Sequence, residues 1–127
     1  MPDAGVTVLV ADDNEVAQRL CRRVLEKAGH RVLTASDGQQ AVDIALAEAP
    51  DMILMDVAMP GMDGLEAMRV IREQKPGMVV VIASAHSMAG DRERFLEAGA
   101  NDVLSKPFRL NELTAVVDKL VGGGHAA

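Results

Sequence analysis

Tryptophan and tyrosine are absent from this 127-residue chain, and Phe95 and Phe108 are its only phenylalanines. Surfaces that hold single-stranded nucleic acid stack bases on such rings, so that class is disfavoured. Positive charge is short as well. Thirteen Lys and Arg face nineteen Asp and Glu, for a net charge of −6 and a pI near 4.9. A chain that binds nucleic acid directly carries a basic patch instead. Cys21 is the single cysteine, so no internal disulfide can form and a reducing compartment fits. No apolar run reaches the roughly 18 residues of a membrane span, and Met1–Gly5 lacks a charged-then-apolar leader pattern. A cytoplasmic domain without a membrane segment is expected.

What the chain does have is apolar residues, 49% of the total, in an alternating pattern. At this length one domain is expected, able to bury about 68% of its unfolded surface. Short apolar runs of strand type alternate with stretches of helical periodicity. A first helix fits Glu15–Ala28, with Val16, Ala17, Leu20, Cys21, Val24, Leu25 and Ala28 as its apolar stripe and Gly29 closing it. Asp37 with Gln40, and Asp63 with Glu66, resemble capping boxes opening two more helices, stopped by Pro50 and before Pro76. A fourth helix fits Met88–Ala98, closed by Gly99, and a fifth carries Leu110, Leu113, Val116, Val117, Leu120 and Val121 on one face. Residues 122–127 read as a flexible tail or linker stump after a domain spanning 1–121.

This alternation implies an α/β fold with helices on both faces of a five-stranded parallel sheet. Residues 6–11, 52–55 and 78–83 are nearly all apolar, as central strands are, whereas 31–35 and 102–105 are mixed, as edge strands can be. The flavodoxin-like order 2-1-3-4-5 satisfies both and puts the ligand-binding switch point between the first and third strands.

Four of the runs end in residues suited to phosphoryl chemistry: Asp12 and Asp13, then Asp56, then Ser84, then Ser105 and Lys106. In a parallel sheet these ends share one edge. Carboxylates about 4 Å apart repel by about 4 kcal/mol at an effective dielectric of 20. A hard divalent cation relieves that repulsion, and oxygen-only donors select Mg²⁺ over zinc. A carboxylate can also accept a phosphoryl group as an acyl phosphate. Asp56 stands alone at its strand end and is the candidate nucleophile, while Asp12 and Asp13 are candidate metal ligands. Lys106 supplies a cation and Ser84 a hydrogen-bond donor for the phosphoryl oxygens. Singly, each residue has an ordinary reading: Asp12 or Asp13 as a helix cap, Asp56 and Ser84 as turn residues, Lys106 as a solvated lysine. Cys21 is expected in the core, His30 and His125 on the surface, and the eight methionines mostly as gap fillers, with Met59, Met62 and Met88 as an adaptable surface near the cleft.

Together Val10-Ala11-Asp12-Asp13-Asn14, Met55-Asp56 through Asp63-Gly64, Ala83-Ser84-Ala85 and Ser105-Lys106-Pro107-Phe108 resemble the receiver domains of bacterial response regulators, over about residues 6–121. Met88-Ala89-Gly90-Asp91-Arg92-Glu93-Arg94 with Ala98-Gly99-Ala100 is similar to receivers attached to hybrid sensor kinases. The resemblance implies that Asp56 takes a phosphoryl group from a phosphohistidine on a sensor histidine kinase or a histidine phosphotransfer protein. It implies Mg²⁺ held by Asp13, by Asp12 through water, by Asp56 and by the Ala58 carbonyl. It also implies a cis Lys106–Pro107 peptide, and signalling through the face formed by the fourth helix, fifth strand and fifth helix. Ala58 and His86 would flank the acyl phosphate and tune its lifetime, although His86 also reads as a plain loop histidine. Receivers usually carry an aromatic three residues before the lysine; here that residue is Val103. The alternative is a receiver-like interaction module that signals without phosphorylation. A flavin carrier, a haloacid-dehalogenase-type phosphatase and a dinucleotide enzyme each lack a required motif: Asp12–Glu15 is acidic where a phosphate loop is needed, Ala58 stands two residues after Asp56, and no glycine-rich turn follows the first strand.

Overall fold

A computed structural model describes residues 5–85 and 90–122. Strands and helices alternate: β1 Thr7–Ala11, α1 Glu15–Lys27, β2 Arg31–Ala35, α2 Gly38–Glu48, β3 Met52–Asp56, α3 Gly64–Gln74, β4 Val79–Ser84, α4 Asp91–Glu97, β5 Asp102–Ser105 and α5 Leu110–Val117, followed by a π-helical turn, Asp118–Gly122. The five strands are parallel and lie in the order β2-β1-β3-β4-β5. That is the expected order, and the reason is burial: every residue of β3 is covered, while β2 at the edge exposes Arg31.

Alternate strand residues feed two cores. Leu9, Ile53 and Ile82 pack with Ala41, Met68, Ile71 and Phe95 of α2, α3 and α4. Val8, Leu54 and Val81 pack with Cys21, Leu25, Leu113 and Val117 of α1 and α5. Each fully buried side chain of this size contributes about 1.5–3 kcal/mol. Cys21 is buried, as expected of a small apolar-like thiol. No helix of the described residues is long and apolar enough to cross a membrane.

The helix ends follow local chemistry. Gly29, at φ 97°, donates to the Glu26 carbonyl, and His30 N–H donates to Leu25, both at 3.0 Å. Gly99, at φ 120°, repeats this after α4 with Leu96, and Ala100 with Phe95. Both are Schellman closures that need a left-handed residue. Asp37 and Asp63 accept from the N–H groups of Gln40 and Glu66, at 2.8 and 2.9 Å. The Gln40 side chain reaches one residue past the cap and accepts from Ser36 N–H at 2.8 Å.

Several expectations shift. Val16 and Leu20 are 71% and 48% exposed, so the buried face of α1 is narrower than the apolar stripe. The buried residues of α1 are Cys21 and Leu25, and Leu20 lies about 100° round the helix from Cys21. Leu110 is likewise half exposed, and α5 gives way to the π-helical turn before Leu120. Met59 is core rather than surface. His30 is buried, because its Nδ1 accepts from Val6 N–H at 3.1 Å where β1 begins. Helix α4 starts at Asp91, after the left-handed cap Gly90, and not as early as Met88; His86, Met88, His125 and the tail beyond Gly122 lie outside the described residues.

At the end of the sheet away from the strand carboxyl termini, Arg72 of α3 ties three segments. It donates to the carbonyls of Met78 and Gly99 and to Asn101 Oδ1, at 2.7–2.8 Å. Asn101 Oδ1 also accepts from Val80 N–H. Arg72→Met removes charged donors from three acceptors, which costs about 2–3 kcal/mol. Urea unfolding should show that loss; a change within about 0.5 kcal/mol, typical of a surface site, would contradict the account.

Candidate functional site

Register brings the strand ends together. Ala11 pairs with Met55, Asp56 with Ala83, and Ser84 with Ser105. Asp12 therefore follows β1 beside Asp56, and Lys106 follows β5 beside Ser84. The ladder runs on past the strands: Val57 N–H donates to Ala83 at 3.1 Å, and Lys106 N–H to Ser84 at 2.7 Å. These bonds hold the backbone that carries the reactive side chains. Gly64 opens α3 directly over the end of β3, where a Cβ would overlap the Asp56 carbonyl. Glycine is required there by close approach rather than by its dihedral angles.

The Lys106 ammonium bridges two strands. Its Nζ lies 2.8 Å from Asp12 Oδ2 and 3.3 Å from Asp56 Oδ2. Asp12, Asp13 and Asp56 each offer a carboxylate oxygen, all within 4.8 Å of one another. Asp12 and Asp56 are buried and Asp13 is exposed. The helix-cap reading of the aspartate pair falls away: Asn14 caps α1, accepting from Ala17 N–H at 3.0 Å, while Asp12 Oδ1 accepts from Asn14 N–H at 2.9 Å. Ser84, 1% exposed, and Ala58 line the same cleft of about 330 Å³. The sequence-level candidates Asp12, Asp13, Asp56, Ala58, Ser84 and Lys106 thus share one cavity. The Lys106–Pro107 peptide is cis, as the resemblance implied.

Burial pushes the Asp56 carboxyl above its ordinary range, against the opposing pull of Lys106, and the negative charge of Asp12 adds to the rise. A hydrogen bond from the Ala58 backbone works the other way. Burial alone would lower Lys106, but the hydrogen bond and charge of Asp12, then Asp56, outweigh it and hold the ammonium above its usual value. Behind this cluster lies an apolar chamber of about 390 Å³ between α1 and the start of α5, reached by Cys21. Burial raises that thiol to about 11, so it is not a thiolate at neutral pH.

Three carboxylates against one ammonium leave a formal charge of −2 in the cleft. An all-oxygen donor set with that charge fits a hard divalent cation and no soft metal.

Three features were not singled out from sequence. Gln18 of α1 donates to the Asp12 backbone carbonyl. At the far edge, buried Asp102 of β5 accepts from Arg92 of α4 at 2.8 Å and from Lys119 of the π-helical turn at 3.3 Å. Arg92 also donates to the Val103 carbonyl at 3.0 Å, beside the position where the aromatic is missing. Burial would raise Asp102, but the Val103 N–H, Arg92 and Lys119 hold it below the usual carboxylate range. All are polar residues on helices or at a strand edge, which sequence patterning reads as ordinary surface.

The profile of the response regulator receiver domain matches residues 8–118. The response regulator MprA of Mycolicibacterium vanbaalenii is 38% identical over 110 residues, covering 87% of this chain and 48% of that protein. The alkaline phosphatase synthesis transcriptional regulatory protein PhoP of Bacillus subtilis is 38% identical over 114 residues, covering 90% of this chain and 48% of PhoP. The chain thus spans about half the length of these relatives. Among solved structures, the receiver domain of a Francisella response regulator superposes with a TM-score of 0.87 at 31% identity, covering 91% of this chain and 96% of that one. The receiver domain of the Pseudomonas aeruginosa sensor histidine kinase PA1611, with magnesium in its active-site cleft, superposes at 0.85 with 38% identity, covering 93% and 98%.

The raised Asp56 carboxyl has a consequence for stability. The folded state holds this proton to higher pH than the unfolded state does, so stability falls as pH rises through the window above the ordinary Asp value. The penalty grows as pH rises through that window, because burial opposes the charged form. Asp56→Asn should therefore raise the Tm of the metal-free protein at pH 7 by calorimetry, and the gain should fade as pH drops below the carboxylate range. A lower Tm at pH 7 would show that the ion pair with Lys106 outweighs burial.

Proposed function

The chain belongs to the response regulator receiver domains, the phosphoacceptor modules of two-component signalling, and from that premise we propose that Asp56 is its phosphorylation site. The observation that carries this reading is the Lys106 ammonium held between Asp12 and Asp56 with Asp13 alongside. Only this end of the described sheet gathers that many acids around one cation.

An Asp56 oxygen attacks the phosphorus of a phosphohistidine whose other ring nitrogen carries a proton taken from water, the P–N bond breaks, and the histidine leaves as neutral imidazole. The product is an acyl phosphate on Asp56. Asp12, Asp13, Asp56 and the Ala58 carbonyl would hold Mg²⁺, which supplies charge neutralisation for the transferring group. Lys106, already beside Asp56, pairs with a phosphoryl oxygen, and the Ser84 hydroxyl donates to another. The donor is a sensor histidine kinase or a histidine phosphotransfer protein. Exposed Ala58 places no polar side chain at the cleft mouth, so water attack on the acyl phosphate is neither directed nor blocked from that position. The domain catalyses its own phosphorylation and dephosphorylation and acts on no separate substrate. Residues 1–121 form this module, in the cytoplasm, with no direct contact to nucleic acid or membrane.

Phosphorylation adds about −1.5 to −2 charge at this edge. Engagement of Lys106 and Ser84 then biases the neighbouring loop and, through β5, the α4–β5–α5 face. With Val103 in place of a ring, that bias passes through the backbone and the Arg92–Asp102 pair rather than an aromatic rotamer.

Intact mass spectrometry after incubation with acetyl phosphate and Mg²⁺ should find one added phosphoryl group. Asp56→Ala, or EDTA, should abolish it. An adduct that persists in Asp56→Ala would point to a different acceptor, one that persists in EDTA would contradict the role of the cation, and its absence from wild type would favour the phosphorylation-independent interaction module.

A further inference from the structure

We propose that Gln18 is a positioning residue for the acidic cluster: its side-chain amide sets the backbone at Asp12, and so the affinity of the cleft for a divalent cation. The inference rests on reading Asp12 and Asp13 as part of the cation and phosphoryl site.

The geometry is specific. Gln18 Nε2 donates to the Asp12 carbonyl, to the Ala35 carbonyl at 3.0 Å and to Ser36 Oγ at 3.1 Å. An amide has two N–H groups, so one of them is shared between two of the three oxygens. Asp12 N–H meanwhile donates to the same Ala35 carbonyl at 3.0 Å. The two peptide units that flank the Asp12 Cα are therefore both anchored, one through its N–H and one through its C=O. That leaves little freedom in the Asp12 dihedrals, and those dihedrals aim its carboxylate at Lys106. The second anchored peptide also leads into Asp13.

Gln18 reaches none of the carboxylates and does not line the cleft. Its effect passes through main chain. Its anchor is itself held, since Ser36 N–H donates to Gln40 Oε1, and Gln40 N–H to Asp37 at the start of α2. The amide thus joins α1, the end of β1 and the end of β2 at one point. Groups that orient metal ligands from outside the donor set typically change affinity 10–100-fold when lost.

Two variants separate positioning from charge. Gln18→Met is close in shape and helix propensity and has no donor. Gln18→Glu is nearly isosteric, cannot donate, and adds a negative charge. Charge alone would tighten Mg²⁺, whereas loss of the anchor loosens it, so the sign for the Glu variant is decisive. Calorimetric titration with Mg²⁺ should give a Kd about tenfold weaker for both variants. At saturating Mg²⁺ the rate of acetyl phosphate incorporation should stay within about twofold of wild type, as expected when binding and not chemistry is lost. Without metal, the Asp12 amide should exchange its hydrogen faster in both. Unchanged Kd in Gln18→Met, or tighter binding in Gln18→Glu, would overturn the positioning role. Wild type that binds no Mg²⁺ and gains no phosphoryl group would instead overturn the site reading on which the inference stands.

Discussion

An ammonium wedged between carboxylates from two adjacent strands is the interaction on which this structure turns. Lys106 touches Asp12 and Asp56 across the carboxyl end of the sheet, and Asp13 crowds the same space. Without that cation, acids this close and this buried would repel by several kcal/mol. With it, the cluster is tolerated and still short of positive charge. Burial keeps Asp56 reluctant to ionise while Lys106 stays firmly protonated. The fold thus carries a standing electrostatic deficit at one rim, which a divalent cation and a phosphoryl group can resolve together.

The deficit depends on parallel strands. Only a parallel sheet sends every strand end to the same side, and the order β2-β1-β3-β4-β5 sets Asp12 next to Asp56 and Ser84 next to Lys106. Backbone hydrogen bonds that continue past the regular strands, at Asp12, Val57 and Lys106, keep these ends in line. Gly64 lets α3 close down on Asp56. The site is accordingly a property of the sheet as much as of its own side chains.

Much of this was legible from the chain because the signals are local and repeat at each strand. Apolar runs ending in Asp, Ser or Lys mark the rim, and run composition separates central from edge strands. Asp37, Asp63, Gly29 and Gly99 mark helix ends through bonds a few residues long. Less legible were contacts whose partners lie far apart and whose residue types are ordinary on a surface. Gln18 reaching Ser36, His30 accepting from Val6, Arg72 binding Gly99 and Asn101, and Asp102 gathering Arg92 and Lys119 are all of this kind. Helical periodicity also overstated the buried face of α1, since Val16 and Leu20 fit the apolar stripe but stay exposed. Periodicity records which residues are apolar, and the neighbouring element decides which of them are covered. Val103 shows the converse: the missing ring was plain in the sequence, while the Arg92 contact to its carbonyl emerged only from the fold.

The central claim is that Asp56, among the three clustered acids, carries the phosphoryl group. Borohydride reduction of the phosphorylated domain followed by peptide mapping tests it most directly, because an acyl phosphate is reduced to the alcohol and a free carboxylate is not. The account predicts homoserine at position 56 alone, and only after reaction with the phosphodonor. Homoserine at position 12 or 13, or a phosphoryl group that survives reduction on Ser84, would contradict it.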